Sequence, residues 1–225
     1  MCKRGKTMSA PQEAQLFDPS RRALIAGLAA MPFASGGALA QLTGAPRRVP
    51  YELTQEALSL NGAAFVGARR PDVVMIEFFD YNCPWCRQSA QEMVTLLRDD
   101  PHLGYVLVNY AILGERSVEA ARIALAYSGL YGHEKYAAFH LALFSGRGVV
   151  DGQRAFDAAI DLGAEPEPLL EFADSEPVTQ AMIAAVSVGN RLGLFATPSF
   201  VVGPWAFDGA IPIARKRRIV ADLRA

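Results

Sequence analysis

Two of the three cysteines in this 225-residue chain stand three positions apart, in the stretch Phe78-Phe79-Asp80-Tyr81-Asn82-Cys83-Pro84-Trp85-Cys86. Sulfur atoms at that spacing can ligate a metal, form a fixed cross-link, or cycle between dithiol and disulfide. Structural zinc takes four ligands, yet the chain has no second C-x-x-C, and His102, His133 and His140 form no pair at zinc-finger spacing. The expected metal site is therefore none. A fixed disulfide across so short a loop would constrain the unfolded chain little. Redox cycling needs a thiolate, because the anion is the attacking form. Cys83 falls where the N-cap of a helix belongs and Pro84 suits the first helical position. The free amides and positive dipole end of that helix would then favour ionised Cys83. Cys83 is the expected nucleophile. Cys86, on the same side of the first turn, is the expected resolving thiol, attacking Cys83 in a mixed disulfide. The only cofactor this chemistry requires is the Cys83-Cys86 disulfide itself. A reduced pair also suits Cu(I), a soft ion, although no methionine- or histidine-rich tract accompanies it.

Three further positions belong with the pair. Glu77 is the only ionisable group in the apolar run Val73 to Phe79, and a carboxylate in a buried strand is costly unless paired or used. Six residues before Cys83, it could take and return the proton of Cys86, with a pKa raised by burial. The alternative is a carboxylate at a strand edge, reaching solvent or an ion pair. Thr197-Pro198 precedes a second apolar run. Proline there is an ordinary turn residue, but a cis-proline turn beside Cys83 would leave the Thr197 backbone free to pair with an extended substrate. Pro84 and Trp85, at the helix start beside an exposed thiol, offer apolar contact to the same segment.

The elements that must position these residues can be read from periodicity. Val73 to Phe79 has the continuous apolar pattern of a central strand buried on both faces. A helix to Arg98 should follow, and Tyr105 to Val108 is a second buried strand, giving a parallel βαβ unit. From Glu115 to Arg191 four stretches, starting at Glu115, His133, Gly152 and Glu176, show apolar residues at three- and four-residue spacing between glycine or proline breaks. Thr197 to Gly203 reads as a turn into a strand, Trp205 to Asp208 as its hairpin partner, and Ile211 to Ala225 as a closing helix. On that helix Arg215-Lys216-Arg217-Arg218 reads as a solvated face, with Ile219 and Leu223 turned inward. The expected class is α/β, with an all-helical subdomain at 115–195 inserted between the two parts, 67–114 and 196–225, of one sheet domain, and an N-terminal arm at 41–66.

Residues 1–40 differ in kind. Arg21-Arg22 precede an uncharged stretch that ends in Ala38-Leu39-Ala40, the pattern of an export signal cut after Ala40. Its apolar centre is too short and too interrupted by Pro32, Gly36 and Gly37 to span a bilayer, so no stable membrane anchor is expected. Ser20 to Ile25 also fits a twin-arginine signal, which leaves both export routes open. Cleavage would remove Cys2, and an exported protein with one C-x-x-C lives where thiols tend to be oxidised. The net charge of -1, with 22 basic and 23 acidic residues interspersed, offers no concentrated basic surface for nucleic acid.

The stretches EFFDYNCPWC, SVEAARIALAY, FHLALF and ATPSFVVG, in this order, resemble the DsbA-like branch of the thioredoxin superfamily, and FFDYNC with ATPSFVVG is most similar to its copper-sensitivity-suppressor and Com1-type members. The resemblance runs from about Gly67 to the C-terminus. It implies a thioredoxin fold with an inserted helical domain and a periplasmic enzyme that exchanges disulfides with cysteine-containing exported proteins. It also implies a membrane or soluble redox partner that recycles the site. By the same resemblance Cys83 is the nucleophile, Cys86 the resolving thiol, Glu77 the buried acid and Pro198 the cis-proline. The chain departs from the pattern at Pro84-Trp85, where the best-known oxidases have Pro-His. An indole does not stabilise an anion by charge, so a reductase or isomerase serving heme or copper pathways stands beside the oxidase. The segment before Ser59 is short for the oligomerising stalk of some isomerase relatives.

Overall fold

The structure, a computed structural model, describes residues 45–225; the signal-like segment, its cleavage site and the start of the arm lie outside them. The centre is the unit that the apolar run demands. Strand β3 (Val73–Phe79) leads through a short loop into helix α2 (Pro84–Asp99), which returns to β4 (Leu103–Asn109), parallel to β3. Four more strands complete the sheet: β1 (Arg47–Arg48), β2 (Ala64–Gly67), β5 (Ser199–Val202) and β6 (Trp205–Phe207). The order is β1-β6-β5-β3-β4-β2, and every pairing except β3 with β4 is antiparallel.

Alternation along β3 decides what each face meets. Ile76 and Phe78, with Val106, Val108 and Val201, face helices α1 (Tyr51–Leu58) and α6 (Glu176–Arg191). Met75 and Phe79, with Tyr105, Leu107 and Phe200, join the core that contains Cys86, Ala90 and Met93 of α2 and Val220 of α7 (Ile213–Arg224). Glu77 lies between Met75 and Phe79 on this second face, opposite Leu107 and Phe200. The four β3 residues Met75, Ile76, Phe78 and Phe79 are buried, at about 1.5–3 kcal/mol of transfer free energy each. That burial fixes the strand's register, and hence the face to which Glu77 points.

The helical region between β4 and β5 comprises α3 (Glu115–Ser145), α4 (Gly152–Asp161), α5 (Pro166–Ala173) and α6. Three features differ from the sequence reading. The first two expected helices run on as α3, broken at Gly132, whose φ of 82° is outside helical space and costs glycine nothing. Helix α5 appears in a stretch with two prolines; Pro166 occupies the first turn, and Leu169 and Ala173 turn into the core. Helix α6 packs Ala185, Val188 and Leu192-side residues against the sheet, so part of 115–195 covers the strands directly. Within the segment read as an arm, β1 pairs with β6 and β2 with β4, both as edge strands of the sheet. Each has one strand partner, and β2 adds Ala64, Phe65 and Val66 to the apolar packing of the two faces.

The closing helix brings the clearest correction. Arg217 and Arg218 are exposed as expected, but Lys216 is fully buried. Its Nζ donates to Glu92 Oε2 at 2.8 Å and Ser89 Oγ at 2.9 Å, and sits 4.5 Å from the centre of the Phe200 ring. Among the described residues no helix is long and apolar enough to cross a membrane.

Candidate active site

Cys83 is the N-cap of α2, with Pro84 at the first helical position, as the sequence requires. Its sulfur lies 3.1 Å from the carbonyl oxygen of Thr197. The loop that ends β3 and the turn that starts β5 therefore meet at one atom. The Thr197-Pro198 peptide is cis. Pro198 is buried and Thr197 half-buried, while Pro84 and Trp85 are exposed. Trp85, Thr197 and Pro198 line a cavity of about 370 Å³ together with Gln88, Ile211 and Lys216. All four sequence-predicted contact residues are thus grouped around the sulfur or at the rim of this cavity.

The environment separates the two thiols. Cys83 is brought down to about 6, chiefly by the hydrogen bond from Cys86, with help from the Thr197 side chain and the Cys86 and Trp85 backbone amides, against an opposing effect of burial. Oγ1 of Thr197 is buried and has no hydrogen-bond partner in the dithiol structure. Cys86 is pushed well up, first by burial, then by the same hydrogen bond and by the charge of Glu77. It receives one weak donor, the Asp80 N–H at 3.5 Å. One sulfur is an anion near neutrality and its neighbour remains a thiol. The two cysteines are unbonded in this structure.

Glu77 is only 2% exposed, which excludes the solvent-edge alternative. Burial raises its pKa; the charge of Lys216 is the largest opposing influence, followed by hydrogen bonds from Tyr105 and Ser89. Tyr105 donates its hydroxyl proton to Glu77 Oε2. Lys216 therefore links three groups. It bonds Ser89, which also reaches Glu77, and Glu92, which lines the cavity. Sequence reasoning missed it, although Ile213, Lys216, Val220 and Leu223 follow the spacing of an inward stripe.

Three polar braces were also missed. Asp80 accepts from the Asn82 N–H (2.8 Å), the Ile112 and Leu113 N–H groups (both 3.0 Å) and the Ser117 hydroxyl (2.7 Å). Asn82 exchanges two bonds of 2.8 Å with the backbone of Val150. Arg87 donates to the carbonyls of Phe144 and Gly146. These contacts fix the approach to Cys83 against the inserted helices. Behind them, Tyr136 bridges Asn109 (2.9 Å) and Tyr81 (3.1 Å), beside a buried His140 that burial brings down to about 3. His140 is thus a neutral core residue. No group of three or more His, Cys, Asp or Glu side chains among the described residues is arranged to hold a metal.

The profile of the DSBA-like thioredoxin domain matches residues 74–219. A thioredoxin-like oxidoreductase from Silicibacter pomeroyi is 32% identical, with a TM-score of 0.70 over 76% of this chain and 96% of its own. The thiol-disulfide exchange protein α-DsbA2 from Wolbachia pipientis is 25% identical, with a TM-score of 0.70 over 76% and 92%. The catalytic domain of Proteus mirabilis ScsC, at 19% identity, shares the fold, with a TM-score of 0.68 over 76% and 94%. No curated protein sequence matches the chain. The chain belongs to the DSBA-like thioredoxin family, has its fold, and is a thiol-disulfide oxidoreductase.

Proposed function

We propose that this oxidoreductase works as an exported, periplasmic oxidase, introducing disulfides into cysteine-containing exported proteins through Cys83-Pro84-Trp85-Cys86. One observation carries the direction of transfer. The surroundings of Cys83 bring its thiol down to about 6, which favours the dithiol form and biases the couple toward the oxidising end. Local hydrogen bonds supply here what the uncharged indole of Trp85 does not. The export pattern at 1–40 supports the compartment.

The steps follow from the two thiols. In the disulfide form, a substrate thiolate attacks Cys83 Sγ; the Cys83–Cys86 bond breaks and a mixed disulfide forms. Cys86 leaves with the electron pair and needs a proton, because burial disfavours its anion. Glu77, whose pKa burial raises, supplies that proton, and Tyr105, Ser89 and Lys216 hold the carboxyl in place. A second substrate thiolate then attacks the substrate sulfur, expelling Cys83 as a stable thiolate. The substrate loses two electrons and the pair gains them. A redox partner, in the membrane or soluble, accepts the two electrons and restores the disulfide. In the reverse direction Cys86 attacks Cys83 in the mixed disulfide and acts as the resolving thiol.

Thr197 lies just outside the β5 ladder, which begins at Ser199. An extended substrate segment pairs with its backbone, while Trp85, Pro84 and Pro198 pack its apolar side chains. Refolding of a reduced, disulfide-dependent protein tests the proposal. The purified chain should accelerate it, and a Cys83→Ala variant should not. A couple near −270 mV, rather than toward −120 mV, together with rapid insulin reduction, would overturn the oxidase direction and favour a reductase.

A further inference from the structure

The turn from Leu194 to Ser199 is held by more bonds than a connection requires. One oxygen of Asp208, just after β6, accepts from the N–H groups of Phe195 (2.8 Å) and Ala196 (2.9 Å). The Ser199 hydroxyl, which accepts from the Gly209 N–H at 3.0 Å, shares its single proton between the Ala196 carbonyl at 2.7 Å and the same Asp208 oxygen at 3.2 Å. From the other side of the turn, the Tyr110 hydroxyl donates to the Leu194 carbonyl at 2.7 Å. The backbone on both sides of Thr197 is thus clamped.

At the crest of the clamped turn, Phe195 is 71% exposed. A phenylalanine left in water contributes nothing to the core, and here its backbone amide is bonded to a carboxylate that keeps it there. Phe195 is two residues from Thr197, whose carbonyl touches Cys83 Sγ. At about 3.3–3.6 Å per residue its Cα lies within about 7 Å of the Thr197 Cα. It is not part of the cavity lined by Trp85, Ala196 and Pro198. The turn therefore separates two apolar features: the cavity and the Phe195 ring.

We propose that Phe195 is a specificity-determining contact of the exchange site and that Asp208 is the positioning residue that presents it, so that a bound substrate segment lays an apolar side chain next to its cysteine against the Phe195 ring. This rests on Cys83 being the point of substrate attack. The partner is a polypeptide cysteine flanked by aliphatic or aromatic residues. Asp208 acts through hydrogen-bond acceptance, for which an amide oxygen suffices.

Steady-state oxidation of two dithiol peptides by the full-length oxidised protein tests this. The peptides are identical except that leucine or serine flanks the first cysteine on both sides. The wild type should favour the leucine peptide through KM. Phe195→Ser should raise that KM roughly tenfold, with a much smaller change in kcat, and erase the preference. Asp208→Ala should reproduce the loss, and Asp208→Asn, which keeps an acceptor oxygen, should restore most of it. Phe195 is a surface residue, so its variant reports even if Asp208→Ala misfolds. A wild type without preference, or a preference that survives Phe195→Ser, overturns the specificity role. An Asp208→Asn variant as impaired as Asp208→Ala overturns the positioning role. A wild type that oxidises neither peptide overturns the exchange reading itself, and the inference with it.

Discussion

The ionisation of Cys83 is the property most open to direct test. With a pKa of about 6 against an ordinary 9.0, the thiol is about 90% ionised at pH 7, where an unperturbed one would be about 1% ionised. Reactivity gains less than this ratio, because intrinsic nucleophilicity falls with a Brønsted slope of about 0.4–0.5, leaving a roughly three- to sixfold advantage. The larger consequence is thermodynamic. A lowered folded-state pKa contributes stability that is complete above the unfolded value and is lost as pH falls through the folded one. The reduced protein should therefore gain between about 1 and 2 kcal/mol from this group at pH 7, about 3 kcal/mol at pH 8 and about 4 kcal/mol above pH 9, and nothing below pH 5. The disulfide form has no such group. Cys86, pushed well up, stays protonated from pH 5 to 8 in both the folded and the unfolded chain and leaves that range clear, whereas above pH 9 it opposes the gain. At pH 7 the gain corresponds to about 30 mV toward the oxidising side. Thiolate absorbance near 240 nm gives the midpoint, and denaturant unfolding of both redox forms from pH 5 to 8 gives the energy. Cys86→Ala removes the largest single cause and should move the Cys83 midpoint up by about one unit or more. A wild-type midpoint at 8 or above, or one that Cys86→Ala leaves in place, would refute the reasoning.

Other outcomes follow from the surrounding groups. Glu77→Gln should slow the attack of Cys86 on a Cys83–peptide mixed disulfide by roughly 100-fold in stopped-flow measurements; an unchanged rate would remove Glu77 from the mechanism. Lys216→Met and Glu92→Gln should shift the Glu77 carboxyl resonance titration in opposite directions, up and down respectively, because the lysine favours and the glutamate disfavours its charged form. Shifts of the same sign would mean that the substitutions act through lost packing alone. Asp80→Ala should cost roughly 3 kcal/mol or more in urea unfolding, since it strips the acceptor from several donors around the site. A loss below about 1 kcal/mol would show that water replaces the carboxylate there.

The parts of this molecule that were legible in the sequence share one trait: their cause is local. Seven consecutive positions from Val73 to Phe79 declare a buried strand, and a proline after a cysteine declares a helix start. The lone carboxylate in that run declares its own cost. What escaped notice depends on partners far along the chain. Lys216 sits among three arginines and reads as solvated, yet its partners Ser89 and Glu92 lie more than 120 positions away. Asp80 and Asp208 look like ordinary loop acids, and only the folded chain shows that each gathers donors from segments it does not adjoin in sequence. The edge strands β1, two arginines, and β2, four residues long, are too short to show a period. The division has a physical origin. Apolar burial is non-directional and imprints a period on the sequence, whereas a hydrogen-bonded acid or cation needs a specific partner and leaves no period. The sulfur chemistry was therefore readable from four adjacent letters, while the groups that hold its substrate turn and its proton donor in place became visible only when β3, α2, β6 and α7 were brought together.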